Sequence, residues 1–260
     1  LVACHNSSEE KESVKEELTN YVNPFIGTDG TGNTYPGAMT PFGMVQLSPD
    51  IGIPGWDRIS GYFYPDSIIT GFSHTHLSGT GAGDLYDVLI MPTNSRFNER
   101  IEANNRLPFS YFSHQHETAT AGYYSVDLLS YGIKAELTAT PRVGVQRYTF
   151  PKDEQSKITV DLGYSINWDK PTETYLKVVD NTTLEGYRFS TGWARNQNVY
   201  FVIKLSKPFV DKEFTEEKEN GKANHSKMVL RYVTADNETI VVKTALSMHS
   251  IAGAYKNMEA

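Results

Sequence analysis

Between Asn23 and Pro92 the sequence gathers the side chains best suited to hold a polyhydroxylated ligand. The runs are Tyr35-Pro36-Gly37-Ala38, Gly55-Trp56-Asp57, Ser60-Gly61-Tyr62 and Gly71-Phe72-Ser73-His74-Thr75-His76-Leu77-Ser78-Gly79-Thr80-Gly81-Ala82-Gly83-Asp84, and this stretch carries more than half of the chain's 20 glycines. Glycine tolerates positive φ and close backbone approach, so such loops can be held tightly against a ligand. The polar groups among them are hydroxyls, two imidazoles, an indole and carboxylates. That inventory fits hydrogen bonding to a sugar's hydroxyl rim and stacking on its apolar face.

Other chemistries share these residues. His74 and His76, at i and i+2, form the arm of a two-histidine metal site if the segment is extended, with Asp84 or Asp87 as a further ligand; alternatively each imidazole is satisfied by backbone carbonyls, or meets a sugar directly or through a neighbour. His114-Gln115-His116 has the same spacing in a strand-like run and reads as exposed ring packing. Gly79-Thr80-Gly81-Ala82-Gly83 lacks the following helix and the βαβ setting of a dinucleotide loop. No Gly-x-Ser-x-Gly elbow is present. Asp57, Asp84 and Asp87 are available as carboxylates, but nothing in their spacing marks an acid/base pair.

The elements that must position these residues read as strands. Ile133-Lys134-Ala135-Glu136-Leu137-Thr138-Ala139 and Val143-Gly144-Val145-Gln146-Arg147-Tyr148-Thr149-Phe150 alternate apolar and polar positions, with Gly or Pro at the joins. The same texture returns over Lys157–Leu162, Thr183–Ser190, Asn198–Leu205, Met228–Thr234 and Thr239–Ala245. Many short strands predict an all-β fold, a large β-sandwich. The charged run Asp211 to Lys222 reads as a solvated hairpin loop turning at Asn220-Gly221. From Ser247 the period changes: Met248, Ile251, Tyr255 and Met258 lie at i, i+3, i+7 and i+10, with Ser247 or Ser250 as N-cap, the beginning of a linker helix.

Composition narrows the class. The chain has 260 residues, a net charge of −7 and 39% hydrophobic residues. Lys and Arg are scattered, which excludes a nucleic-acid footprint. Mean hydropathy is −0.43, and no apolar run approaches the ~18 residues of a membrane-spanning helix. The single cysteine excludes an internal disulfide framework and a Cys-based zinc site. Leu1-Val2-Ala3-Cys4 has the form of a bacterial lipobox, so Cys4 is the expected lipidation site; the alternative is a fragment boundary that falls near a free cysteine. The polar, acidic residues after it suit a solvated tether. The expected organisation is a lipoprotein remnant and tether over 1–20, the sandwich over 21–246 and the linker helix from 247 to 260.

With those residues in view, the chain resembles glycoside hydrolase family 92, calcium-dependent inverting exo-α-mannosidases. The resemblance rests on Tyr35-Pro36-Gly37-Ala38, on Pro41-Phe42-Gly43-Met44-Val45-Gln46-Leu47-Ser48-Pro49-Asp50, and on Gly71 to Gly81. It continues in Glu136-Leu137-Thr138-Ala139-Thr140-Pro141-Arg142 and Arg147-Tyr148-Thr149-Phe150-Pro151. It departs in having no histidine near Gly32-Asn33-Thr34 and no cysteine near Ile59-Ser60. The resemblance implies an N-terminal β-supersandwich followed by an (α/α)6 barrel, with the active site between them. It implies that the general acid, the general base and the main calcium contacts lie in the barrel, so that no catalytic residue and no metal ligand is assigned to this chain. By family position Trp56 lines the subsite for the terminal mannose, with Asp57, His74, His76, Ser78 and Gly79 nearby.

The resulting expectation is the sugar-facing domain of an α-mannosidase that removes α-1,2-linked mannose from N-glycans or mannans. Its partners would be a mannose-containing glycan and the barrel of the same protein. It would sit in the periplasm or on the outer-membrane surface of a Gram-negative bacterium, membrane-attached only through a lipid anchor. The alternative expectation is a non-catalytic carbohydrate-binding lipoprotein.

Overall fold

The fold, a computed structural model, describes residues 17–96, 99–102 and 105–260. Cys4 and most of the expected tether lie outside the described residues. Two antiparallel sheets carry the fold. The first has seven strands in the order Ala38–Met39, Gln46–Asp50, Gly71–Ser73, Leu89–Thr93, Asp153–Asp161, Lys222–Thr234 and Asp211–Glu219. The second has eight, in the order Lys170–Asp180, Thr183–Thr191, Gln197–Leu205, Glu238–Ser247, Val143–Phe150, Ile133–Ala139, Tyr123–Leu128 and Glu117–Thr120.

Alternation explains which face of each sheet is inward. In Ile133–Ala139 the side chains of Ile133, Ala135 and Leu137 are buried, while Lys134 and Thr138 between them face solvent. Tyr124, Tyr148, Phe201, Ile240 and Val242 join them from the eight-stranded sheet, and Leu47, Phe72, Ile90, Ile158, Val160 and Leu230 meet them from the other. Each such large apolar side chain contributes roughly 1.5–3 kcal/mol on burial. The all-β sandwich expected from the sequence is the fold observed.

Two local expectations change and a third is narrowed. Asp211–Glu219 is a strand, not a loop, and all of its residues are exposed. It forms the outer edge of its sheet, where charges discourage pairing with another chain. The expected turn is present, with Asn220 and Gly221 at φ 52° and 81°. His114–His116 is a single 3-10 turn between strands, not part of a strand. Of the two candidate caps, Ser250 is the one used: its hydroxyl accepts the N–H of Gly253 at 3.0 Å and starts helix α1, Ile251–Glu259. Helix α1 lies against the eight-stranded sheet, where the Tyr255 hydroxyl donates to Glu185 and the Asn257 amide donates to the Leu246 carbonyl. Among the described residues no helix is long and apolar enough to cross a membrane.

Candidate functional site

Four loops meet at one end of the sandwich, and their backbones fasten to one another. The Gly55 N–H donates to Asn167 Oδ1 at 2.9 Å, and the Trp168 N–H donates to the Gly83 carbonyl at 3.0 Å. Asp84 is 2% exposed and accepts from the N–H groups of Trp193 (3.0 Å) and Ala194 (2.9 Å) and from Gln197 Nε2 (3.3 Å). Glycine at 192 is a condition of that arrangement, because a Cβ there would stand 2.0 Å from Asp84 Oδ1.

These contacts bring all three tryptophans of the chain to the surface around the Leu77–Gly83 loop. Trp56 is 57% exposed, Trp168 48% and Trp193 77%. Tryptophan is usually largely buried, so three exposed indoles on one rim call for a partner. Trp56 opens the 3-10 turn Trp56–Arg58 and lies against Gly81, where an added Cβ would be 3.1 Å from its six-membered ring. Leu77, Thr80, Gly81, Ala82, Trp168 and Trp193 line a groove of about 430 Å³. A neighbouring hollow of about 420 Å³ shares Trp168 and Trp193 and adds Lys170, Thr191 and Gly192.

Beneath the rim lies a buried ionic cluster. Arg188 donates through one terminal nitrogen to Asp87 at 2.8 Å and through the other to Asp169. Its remaining N–H groups reach the carbonyls of Leu162 (3.0 Å) and Tyr164 (2.9 Å). Two carboxylates share one guanidinium away from water. Burial outweighs Arg188 and the Asp169 carboxyl is pushed up to about 6. The cluster ties the strand leading to Trp193 to the loop carrying Trp168.

The six expected sugar-site residues divide into two groups. Trp56, Asp57, Ser78 and Gly79 are exposed on the loops at this end. His74 and His76 are inside. His74 Nδ1 donates to the Val88 carbonyl at 2.8 Å and its Nε2 accepts from Gln146 at 3.2 Å; burial lowers its pKa to about 4. His76 Nδ1 donates to the Gln46 carbonyl at 2.8 Å, while Nε2 lies 3.1 Å from Asp50 and 3.0 Å from Ser73. Both rings thus have their nitrogens engaged within the protein, which leaves them holding the loop rather than facing a sugar. His114 stacks on Tyr64 with centroids 3.9 Å apart and bonds Glu117, while His116 is exposed.

Sequence reading missed Trp168, Trp193 and the anchoring by Asp84. A signal was present: each tryptophan directly follows a turn-forming residue, in Gly55-Trp56, Asn167-Trp168 and Gly192-Trp193. Among the described residues no group of three or more His, Cys, Asp or Glu is placed to hold a metal ion. Asp84 is committed to Trp193 and Ala194, and Asp87 and Asp169 to Arg188. These groups do not make up a calcium site.

Residues 21–247 match the glycosyl hydrolase family 92 N-terminal domain. The chain belongs to that family. It is similar to a family 92 α-mannosidase of Bacteroides thetaiotaomicron solved in complex with mannoimidazole, at 35% identity and a TM-score of 0.81, over 94% of this chain and 34% of that one. A family 92 inverting mannosidase of the same organism is 28% identical with a TM-score of 0.73, over 94% of this chain and 34% of that one. An uncharacterized secreted glycosidase of Arthroderma benhamiae is 29% identical over 142 residues, which is 52% of this chain and 18% of the relative. The chain therefore spans about a third of the length of its structural relatives in family 92.

Proposed function

We propose that this domain forms the sugar-facing wall of an inverting exo-α-mannosidase, with Trp56 stacked on the terminal mannose. The observation that carries this reading is a tryptophan 57% exposed and laid on a glycine loop that also presents the Ser78 hydroxyl. A hexose has an apolar C–H face and a hydroxyl rim, and an indole beside hydroxyl groups complements both.

Inversion requires two carboxyl groups roughly 6.5–9.5 Å apart, one protonating the leaving oxygen and the other activating water. Asp84, Asp87 and Asp169 are occupied in holding loops; the family resemblance implies that the acid, the base and the main calcium contacts lie in an (α/α)6 barrel. This domain binds and orients the sugar against them. With Cys4 acylated, the enzyme would work at the surface of a Gram-negative cell; fatty-acid labelling of wild type against Cys4→Ala tests that point. The commitment of these acids also favours a second reading, a carbohydrate-binding lipoprotein without turnover.

The deciding experiment uses the full-length protein containing this domain. It is incubated with α-1,2-, α-1,3- and α-1,6-linked mannobiose, with calcium or with chelator, and the first sugar released is followed by NMR. The expected outcome is β-mannose as the first anomer, fastest from the α-1,2 substrate and suppressed by the chelator. Sugar binding without release of mannose would establish the binding protein instead.

A further inference from the structure

We infer that the groove between Trp168 and Trp193 is a second hexose subsite, taking the sugar unit on the far side of the bond to be cleaved. The inference rests on the mannosidase reading above and goes beyond it by naming where the leaving sugar is held. Three features of the groove support it.

The first is placement. One residue of the Leu77–Gly83 loop touches both sets of indoles: a Cβ at Gly81 would be 3.1 Å from Trp56, and Gly81 also lines the Trp168–Trp193 groove. Neighbouring sugars of one glycan would sit side by side along that loop.

The second is chemistry. No carboxylate lines the groove or the hollow beside it, and Lys170 is the one charged residue among their linings. Two indoles with the Thr191 hydroxyl offer an apolar face and a hydrogen-bonding group to an uncharged polyhydroxylated ring, and the Lys170 charge disfavours a cation. Aromatic faces also hold successive rings without demanding a specific hydrogen-bond pattern, so the subsite would favour glycans over simple glycosides.

The third is preorganisation. Trp193 is 77% exposed, yet its backbone N–H is fixed by Asp84, which is 2% exposed. The Trp168 N–H is fixed by the Gly83 carbonyl, and the next residue, Asp169, is fixed by Arg188. Buried polar anchors therefore fix the backbone from which both indoles project before a ligand arrives, which lowers the ordering that binding must supply.

The test compares Trp168→Ala and Trp193→Ala with wild type in the full-length enzyme, on α-mannosyl fluoride and on α-mannotriose. The fluoride supplies the terminal mannose with no ring on the leaving side. The expected result is a fall in kcat/KM of roughly tenfold to a hundredfold on the trisaccharide, by analogy with stacking of bases on aromatic side chains, and less than about twofold on the fluoride. Equal losses on both substrates, or a large fall in melting temperature, would overturn the subsite and make the indoles an interdomain contact. Fluorescence titration with α-mannotriose reads the groove without turnover. A response that survives Trp56→Ala and disappears in Trp168→Ala and Trp193→Ala is expected; no response in wild type would overturn the inference. If the wild type binds in this way yet releases no mannose, the mannosidase reading fails and the subsite stands.

Discussion

The carboxylate of Asp84 accepts the backbone N–H of Trp193 at 3.0 Å and that of Ala194 at 2.9 Å, joining positions 109 and 110 residues apart. A buried acid thus fixes the backbone that carries the most exposed tryptophan of the rim. Asp84→Asn keeps the shape but replaces an acceptor with a donor pointed at N–H groups. Leaving those donors without a partner costs about 1–3 kcal/mol, a fall of several degrees in Tm at roughly 2–4 °C per kcal/mol for a domain of this size. Thermal melts of wild type and variant check this, and an unchanged Tm would mean that the Trp193 turn holds itself.

Trp56 separates a sugar platform from a core residue. A buried tryptophan truncated to alanine typically costs about 3–5 kcal/mol. With its ring 57% exposed, Trp56 has much less to lose. Trp56→Ala in the full-length enzyme is expected to lower kcat/KM roughly tenfold to a hundredfold, as loss of about 1–3 kcal/mol of stacking would do. Tm should move by only a few degrees. Kinetics and melting measured on one sample decide it: a large loss of Tm with normal kinetics in the folded fraction would assign Trp56 to packing.

Arg188 is fully buried between Asp87 and Asp169. Removing it leaves buried carboxylates without their counter-charge, which typically costs about 3–5 kcal/mol. Arg188→Met should therefore be among the most destabilising single changes in the domain. Adding Asp87→Asn and Asp169→Asn to it should restore part of the loss by removing the stranded charges. Denaturant melts of the single and triple variants test this; a triple variant weaker than the single one would show that shape, not charge, dominates the cluster.

Much of the sandwich was legible because the strands facing the core alternate cleanly, as Ile133–Ala139 does. The strands missed obey different physics. Gly71–Ser73 and Leu89–Thr93 are buried along their whole length, so they show no alternation. Lys170–Asp180 has register shifts at Pro171/Glu173 and Val178/Asp180 that break its period. Asp211–Glu219 buries nothing and looks like a loop. At the site, Trp56 could be read from its glycine-rich surroundings. The spacing of His74 and His76 put both rings on one face, but could not say that this face turns inward. The contacts of Asp84 with Trp193 and of Arg188 with Asp169 join distant positions, and no local pattern encodes them.

Two buried groups make the domain's stability depend on pH in opposite directions. Asp169 is raised from 3.8 to about 6, so the folded state holds its proton more tightly than the unfolded chain. Its contribution is complete below about 3.8 and is lost as pH rises through about 6. His74 is lowered from 6.5 to about 4, so its contribution is complete above 6.5 and is lost as pH falls through about 4. At about 1.4 kcal/mol per pH unit, each is worth on the order of 3 kcal/mol. Between about pH 4.5 and 6 the two slopes offset each other, and wild-type Tm should change little. Asp169→Asn removes one of them. The variant's Tm should then fall as pH drops through this window, following the protonation of His74 in the unfolded chain. Melting curves at half-unit pH steps read the difference directly. Parallel profiles for wild type and Asp169→Asn would show that Asp169 titrates in its ordinary range.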